Sequence, residues 1–223
     1  MCTLFRKKDI RLVTLTGPGG VGKTRLGLEV ANNLLEMFAD KVSFVSLASI
    51  SDPDMVIPAI AQPLGLKETG EQPLLVWLKA FIRDIPILLV LDNFEQVVMA
   101  APRLSELLAA CQHLKFLVTS RAALHVRDEH EFPVLPLALP DLNHPPTSEV
   151  RSQNAAVTLF LERARSVKPN FHMTATNARS IAEICVHLDG LPLAIELAAA
   201  RMKLLTPQAV SYTHLTLPTI LRV

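Results

Sequence analysis

Eight consecutive residues constrain this chain more than any others: Gly17-Pro18-Gly19-Gly20-Val21-Gly22-Lys23-Thr24. Just before them, residues 11–16 (RLVTLT) form a short β-branched run that reads as a buried strand and stops at Gly17. Just after them, Leu26, Val30, Leu34, Leu35 and Phe38 recur at helical spacing, which predicts a helix over residues 23–37. In a glycine-rich loop between a strand and a helix, backbone N–H groups turn inward on an anion, and the helix N-terminus adds a partial positive charge. The spacing G-x-x-x-x-G-K-T is that of a phosphate-binding loop. In such a loop Lys23 reaches the β- and γ-phosphates and the Thr24 hydroxyl binds Mg²⁺. Gly17, Gly19, Gly20, Val21, Gly22, Lys23, Thr24 and Arg25 are the expected nucleotide contacts. A bare glycine-rich turn is the alternative, and the flanking strand and helix argue against it.

Further strands are expected at residues 42–47, 87–92 and 115–120. A fifth is expected at 131–137, where Pro133 and Pro136 confine it to a sheet edge. The run at 87–92 (ILLVLD) is apolar throughout, as a strand covered by helices on both faces must be. Ser51-Asp52-Pro53 reads as a helix start, and a helical stretch is expected over 95–111. Trp77 and its neighbouring leucines are expected to pack between helices. Strands alternating with helices predict a three-layer αβα domain on a parallel sheet over residues 1–140. Residues 141–153, rich in proline and polar side chains, read as a linker. Beyond them the pattern is helical only, with helices expected at 154–167, 175–188 and 192–204 in a small all-α domain over 154–209.

The 22 basic and 21 acidic residues nearly balance, so nothing suggests a chain-wide basic surface for nucleic acid. The three cysteines are scattered and odd in number, forming neither a disulfide framework nor a zinc pattern. With no signal peptide and no apolar run near the ~20 residues that span a bilayer, a cytoplasmic location is expected.

A phosphate-binding loop needs a carboxylate partner at the end of a neighbouring strand, and Asp92 stands there as a Mg²⁺ partner through water. Asn93 cannot act as a base. Glu95, the nearest carboxylate, either orients the attacking water or is a solvent-facing acid in a first helical turn. Arg121, just past the fourth strand, either senses the γ-phosphate or pairs with a local carboxylate, and the ligand-binding end of the sheet favours the first. The acids and histidines of 125–131 (HVRDEHE) show no zinc-ligand spacing and read as a solvated loop. Gly190 ends one helix and Pro192 begins the next.

The stretches TLTGPGGVGKTRL, LLVLDNFEQV, LVTSRAAL, EFPVLPLALPD and CVHLDGLPLAIELAAARMKLL occur in the order found in the nucleotide-binding domain of signal-transduction (STAND) ATPases. The chain resembles the AP-ATPase or NB-ARC class, and within it the large bacterial regulators of the AfsR and LuxR-ATPase kind. The resemblance covers residues 11–209. It implies an ATP/ADP-binding switch with Mg²⁺, slow hydrolysis and self-association in the ATP form, with Pro192 contacting the adenosine. It also implies winged-helix, sensor and DNA-binding domains elsewhere in the full-length protein. Relatives outside the bacterial regulators often carry a second acid where Asn93 stands. Two rival functions remain: a steady-turnover AAA+-like ATPase, and a nucleotide-stabilised scaffold without useful hydrolysis. The ending at 210–219 (VSYTHLTLPT) is residue for residue what GTC TCT TAT ACA CAT CTG ACG CTG CCG ACG encodes, a string resembling a transposase library adapter. Residues 210–223 are therefore expected to be a non-native tail that interrupts the helical pattern.

Overall fold

The computed structural model describes residues 1–66, 72–142 and 154–216, with side chains to 211. Five runs pair into one parallel sheet: β1 (Leu12–Thr16), β2 (Val42–Ser46), β3 (Ile87–Asp92), β4 (Leu114–Thr119) and β5 (Glu129–Pro133). Their order is β2-β3-β4-β1-β5, so β4 lies between the strand that enters the glycine loop and the strand that ends in Asp92. The edge position expected for the fifth strand holds, but its span does not. It runs along β1 from Leu12↔Glu129 to Thr16↔Pro133, and one further bond follows, from Val134 N–H to Thr16 O at 2.7 Å. Pro136 has no N–H to continue the ladder.

The chain divides into two compact units, Met1–Val134 and Leu135–Val223. In the first, the period of two sorts the strand side chains into two cores. Val13, Leu15, Leu88, Val90 and Leu117 pack with Phe5, Val30, Ala31, Leu34 and Phe38. Leu12, Leu89, Leu91, Phe116 and Val118 pack on the other side with Val56, Ile60, Leu78, Leu104 and Leu107. The first core is covered by α1 (Cys2–Phe5) and α2 (Lys23–Asn33), the second by α3 (Val56–Ala61), α4 (Leu74–Ile82) and α5 (Ala101–Ala110). This is the three-layer αβα arrangement that the apolar strands require.

Several helix boundaries differ from expectation. α2 stops at Asn33, and a 3-10 turn at Glu36–Phe38 brings Phe38 back onto the core. The start at Asp52 is real: its side chain accepts the Asp54 N–H at 2.9 Å, opening a 3-10 turn that leads into α3. Two 3-10 turns, Phe94–Gln96 and Val98–Ala100, separate Asp92 from α5, where one continuous helix was expected. Trp77 is not core. α4 buries Leu74, Leu78 and Ile82 at four-residue intervals, which turns Trp77 outward at 46% exposure. That spacing is a single stripe, and Trp77 lies off it.

In the second unit, α6 (Ala155–Val167), α7 (Ala178–His187), α8 (Pro192–Ala200) and α9 (Pro207–Thr216) enclose a core that includes Phe160, Ile181, Ile184, Cys185, Ile195 and Met202. Asn154 caps α6 by accepting the Val157 N–H at 3.1 Å. α7 closes with a paired motif, Asp189 N–H to Val186 O and Gly190 N–H to Cys185 O. The left-handed C′ position is held by Asp189 (φ 51°) and not by the glycine. Gly190, the next residue, is left-handed too (φ 66°), and space also forbids a side chain there, since a Cβ would lie 2.2 Å from Leu137 O. Leu137 thus belongs with the helical unit, and most of the expected linker lies outside the described residues. The expected break at 210 is not seen: α9 continues to Thr216, and Val210 is fully buried in the helical core.

Candidate functional site

The loop between β1 and α2 follows from its glycines. Gly17 (φ 146°), Gly20 (φ 78°) and Gly22 (φ 99°) take backbone angles open to few other residues. At Gly17 space forbids a side chain as well, because a Cβ would stand 2.7 Å from Val134 O. α2 begins at Lys23, and Gly22 O accepts the Leu26 N–H at 2.9 Å as its first helical bond. Gly19 is exposed on the loop, Val21 is buried beneath it, and Arg25 follows exposed on the first turn of α2.

Lys23 is buried, and its ammonium donates to Gly17 O at 2.8 Å and Pro18 O at 3.0 Å. Burial holds it below the usual lysine range. The negative charge of Glu95 opposes that shift, Arg121 adds to it, and Asp92 opposes it again. The four charges therefore share one neighbourhood. The Thr24 hydroxyl donates to Asp92 Oδ1 at 2.7 Å, although the two residues are 68 positions apart. Asp92 is itself buried at the end of β3.

Glu95 sits on the 3-10 turn after Asp92, mostly buried at 18% side-chain exposure. One of its oxygens pairs with Arg121 Nε at 3.4 Å, while Oε2 is buried with no hydrogen bond inside the protein. Arg121 is 72% exposed. Of the two readings of Arg121, the pairing with a local carboxylate is the one seen, and that carboxylate is Glu95. Pro192 lies in the helical unit, as the first residue of α8. In the acid- and histidine-rich loop, Glu129 accepts the N–H groups of Leu124 and His125, both at 2.9 Å, so it serves the backbone.

Thr119 belongs to the site and was not among the expected site residues. It is buried at the end of β4, and its hydroxyl lies 2.6 Å from Asp92 Oδ1. It lies in the stretch LVTSRAAL, but its bond to Asp92 follows only from the strand register, which aligns Leu91 with Val118.

The donor set fits a hard divalent cation. Two oxygens in adjacent positions of a magnesium octahedron are about 2.9 Å apart, and Thr24 Oγ1 and Asp92 Oδ1 are already 2.7 Å apart. The loop amides, the α2 N-terminus and the Lys23 ammonium supply positive potential for a polyphosphate beside it.

The chain matches the AAA domain family over residues 6–142. Over 198 residues it is 38% identical to a Mycobacterium tuberculosis (H37Rv) protein whose name describes an HTH-type transcriptional regulator; the alignment covers 88% of this chain and 21% of that protein. It is also 38% identical over 200 residues to an uncharacterised protein of the same organism, covering 89% of this chain and 48% of that one. The chain thus spans about a fifth to a half of the length of these relatives. Among solved structures, Aeropyrum pernix ORC2 in ADPNP and ADP complexes superposes with a TM-score of 0.53 at 14% identity, over 92% of this chain and 61% of that one. Drosophila ORC bound to DNA gives 0.53 at 13% identity, over 89% and 57%. At such identities the likeness is one of fold.

Proposed function

This chain belongs to the AAA domain family of P-loop ATPases, and from that premise we propose that it is the adenine-nucleotide switch of a bacterial transcriptional regulator of the STAND, NB-ARC-like class. ADP holds one state, ATP with Mg²⁺ favours a second that self-associates, and slow hydrolysis returns the second to the first. The relationship to a protein named for HTH-type transcriptional regulation supports the regulatory setting. The family supports nucleotide binding.

One observation carries the reading: the Thr24 hydroxyl and the Asp92 carboxylate meet at 2.7 Å beside a buried lysine. Bound magnesium would supply charge neutralisation for the β- and γ-phosphates, held by Thr24 and by Asp92, directly or through water. Lys23, whose ammonium donates to the carbonyls of Gly17 and Pro18, would bind the phosphate oxygens. Glu95 orients or deprotonates the attacking water through the oxygen that has no partner in the protein. Arg121 reads the γ-phosphate by charge-assisted hydrogen bonds.

Calorimetry tests the binding step. The expected result is uptake of ATP and ADP that strengthens with Mg²⁺, and no uptake by folded protein defeats the reading. Turnover tests the switch: expected are ADP retained through purification and hydrolysis far slower than the 1–100 s⁻¹ typical of kinases. Fast steady turnover would point to the AAA+-like rival. Identical long-term behaviour with ATP and a non-hydrolysable analogue would point to the scaffold.

A further inference from the structure

The strand order puts β4 between β1 and β3, so its last residue stands between the glycine loop and the acid. The period of two then sets its direction. Leu117 packs in the core beneath α2, and Thr119, two positions on, projects to the same face. Its methyl group lies 3.6 Å from where a Cβ on Gly27 of α2 would stand, an ordinary van der Waals distance, so α2 lies directly over it. Thr119 is 2% exposed.

Its hydroxyl makes two bonds whose directions fix each other. The Asn93 N–H can only donate, so the Thr119 oxygen accepts it, at 3.0 Å. The single hydroxyl proton is left for Asp92 Oδ1, at 2.6 Å. Asn93 is in the left-handed region (φ 63°, ψ 45°), and it starts the turn that carries buried Phe94 and then Glu95. One side chain thus holds both the carboxylate and the first peptide of that turn. Of the two hydroxyls on Asp92 Oδ1, the other belongs to Thr24, the residue whose oxygen is wanted by the cation.

We propose that Thr119 is a positioning residue for the divalent cation: its hydroxyl keeps the Asp92 carboxylate and the Asn93 turn in the arrangement that receives Mg²⁺ with the nucleotide. This rests on the site being a Mg²⁺–nucleotide site. In this role Thr119 acts through Asp92, to which its hydroxyl donates. Hydrogen-bond partners of metal-binding carboxylates carry a large share of metal affinity, and losing one costs about 10–100-fold.

The test is calorimetric binding of ATP to the full 223-residue chain, in EDTA and in Mg²⁺, for the wild type, Thr119→Val and Thr119→Ser. Valine keeps the shape and removes the hydroxyl; serine keeps the hydroxyl and removes the methyl. The wild type is expected to bind ATP more tightly in Mg²⁺. Thr119→Val should stay within about twofold of wild type in EDTA and lose about tenfold or more of the Mg²⁺-dependent gain, and Thr119→Ser should recover most of that gain. Thermal unfolding without ligand establishes that each variant is folded. Should the valine variant fail to fold, Thr119→Ala removes the same hydroxyl with less bulk and is read in its place. A full Mg²⁺ gain in the hydroxyl-free variant overturns the proposal. So does an equal loss in EDTA and Mg²⁺, which marks a role in folding alone. A wild type with no Mg²⁺ gain overturns the underlying reading of the site as well, and so is told apart from failure of the Thr119 assignment by itself.

Discussion

Glu95 carries an unusual arrangement for a carboxylate: one oxygen faces Arg121, and the other is buried without a partner in the protein. An unsatisfied buried oxygen costs about 1–3 kcal/mol, and such a cost is expected where a ligand group or a reacting water completes the shell. Glu95→Gln keeps the shape and removes the base. It should leave ATP affinity within a few-fold and slow hydrolysis by about 100-fold or more, so that ATP and not ADP accumulates on the protein. Single-turnover quench kinetics measure this, and unchanged turnover would remove Glu95 from the chemistry. Cys185 is a contrasting buried group with no part in the site. Burial pushes its thiol up to about 12 from 9.0, so it stays neutral in the folded chain where the unfolded chain would ionise. The folded pKa is the higher one, so its contribution to stability is complete below pH 9 and is lost as pH rises from 9 towards 12. In the native protein at pH 8, DTNB should find Cys2 readily, and Cys185 only on unfolding.

Element by element, the legible parts were those whose signal is local. β3 was visible as five apolar residues and an acid, because a strand buried on both faces has few polar positions to obscure it. The glycine loop was visible because its backbone angles and its crowding at Gly17 admit so few other residues. What was missed depends on partners distant in sequence. Trp77 could be placed only by knowing which stripe of α4 meets the sheet. Thr119 stands in a stretch the sequence marks, but its bond to Asp92 could be read only by knowing that β4 pairs with β3 in that register. The opening segment is the largest such miss. Phe5 is wholly buried under the sheet, and the Lys115 ammonium, on β4, donates to Phe5 O at 2.8 Å, Lys7 O at 2.7 Å and Ile10 O at 3.0 Å. Nothing near residue 5 in the sequence announces a partner 110 positions away. Lys115→Met keeps the aliphatic stem and leaves three carbonyls without their donor. It should destabilise the chain by about 1–3 kcal/mol and speed amide exchange in residues 2–10. Phe5→Ala should cost about 3–5 kcal/mol. Urea titration checks both, and a neutral Lys115→Met would mean that the segment is held by Phe5 alone.

At the scale of the molecule, the glycine loop, Asp92, Glu95, Thr119 and Arg121 all belong to the Met1–Val134 unit, contributed by three parallel strands' C-terminal ends and one helix start. A ligand bound there would be held by elements from the three central strands of that unit, so local unfolding of any of them would release it. Binding to the folded form alone adds RT ln(1 + [L]/Kd), which is about 2.7 kcal/mol at a hundred times Kd. For a unit of this size that corresponds to a rise of about 10 °C in Tm. Lys23 offers the control. Its charge is disfavoured by burial in the ligand-free fold, so Lys23→Met should leave the ligand-free Tm nearly unchanged while abolishing the rise with ATP and Mg²⁺. Differential scanning calorimetry across a nucleotide titration reads both at once. A rise that survives in Lys23→Met would place the nucleotide elsewhere on the protein. A ligand-free Tm that collapses in the variant would make Lys23 a structural pin of the loop carbonyls, and its geometry at Gly17 and Pro18 an end in itself.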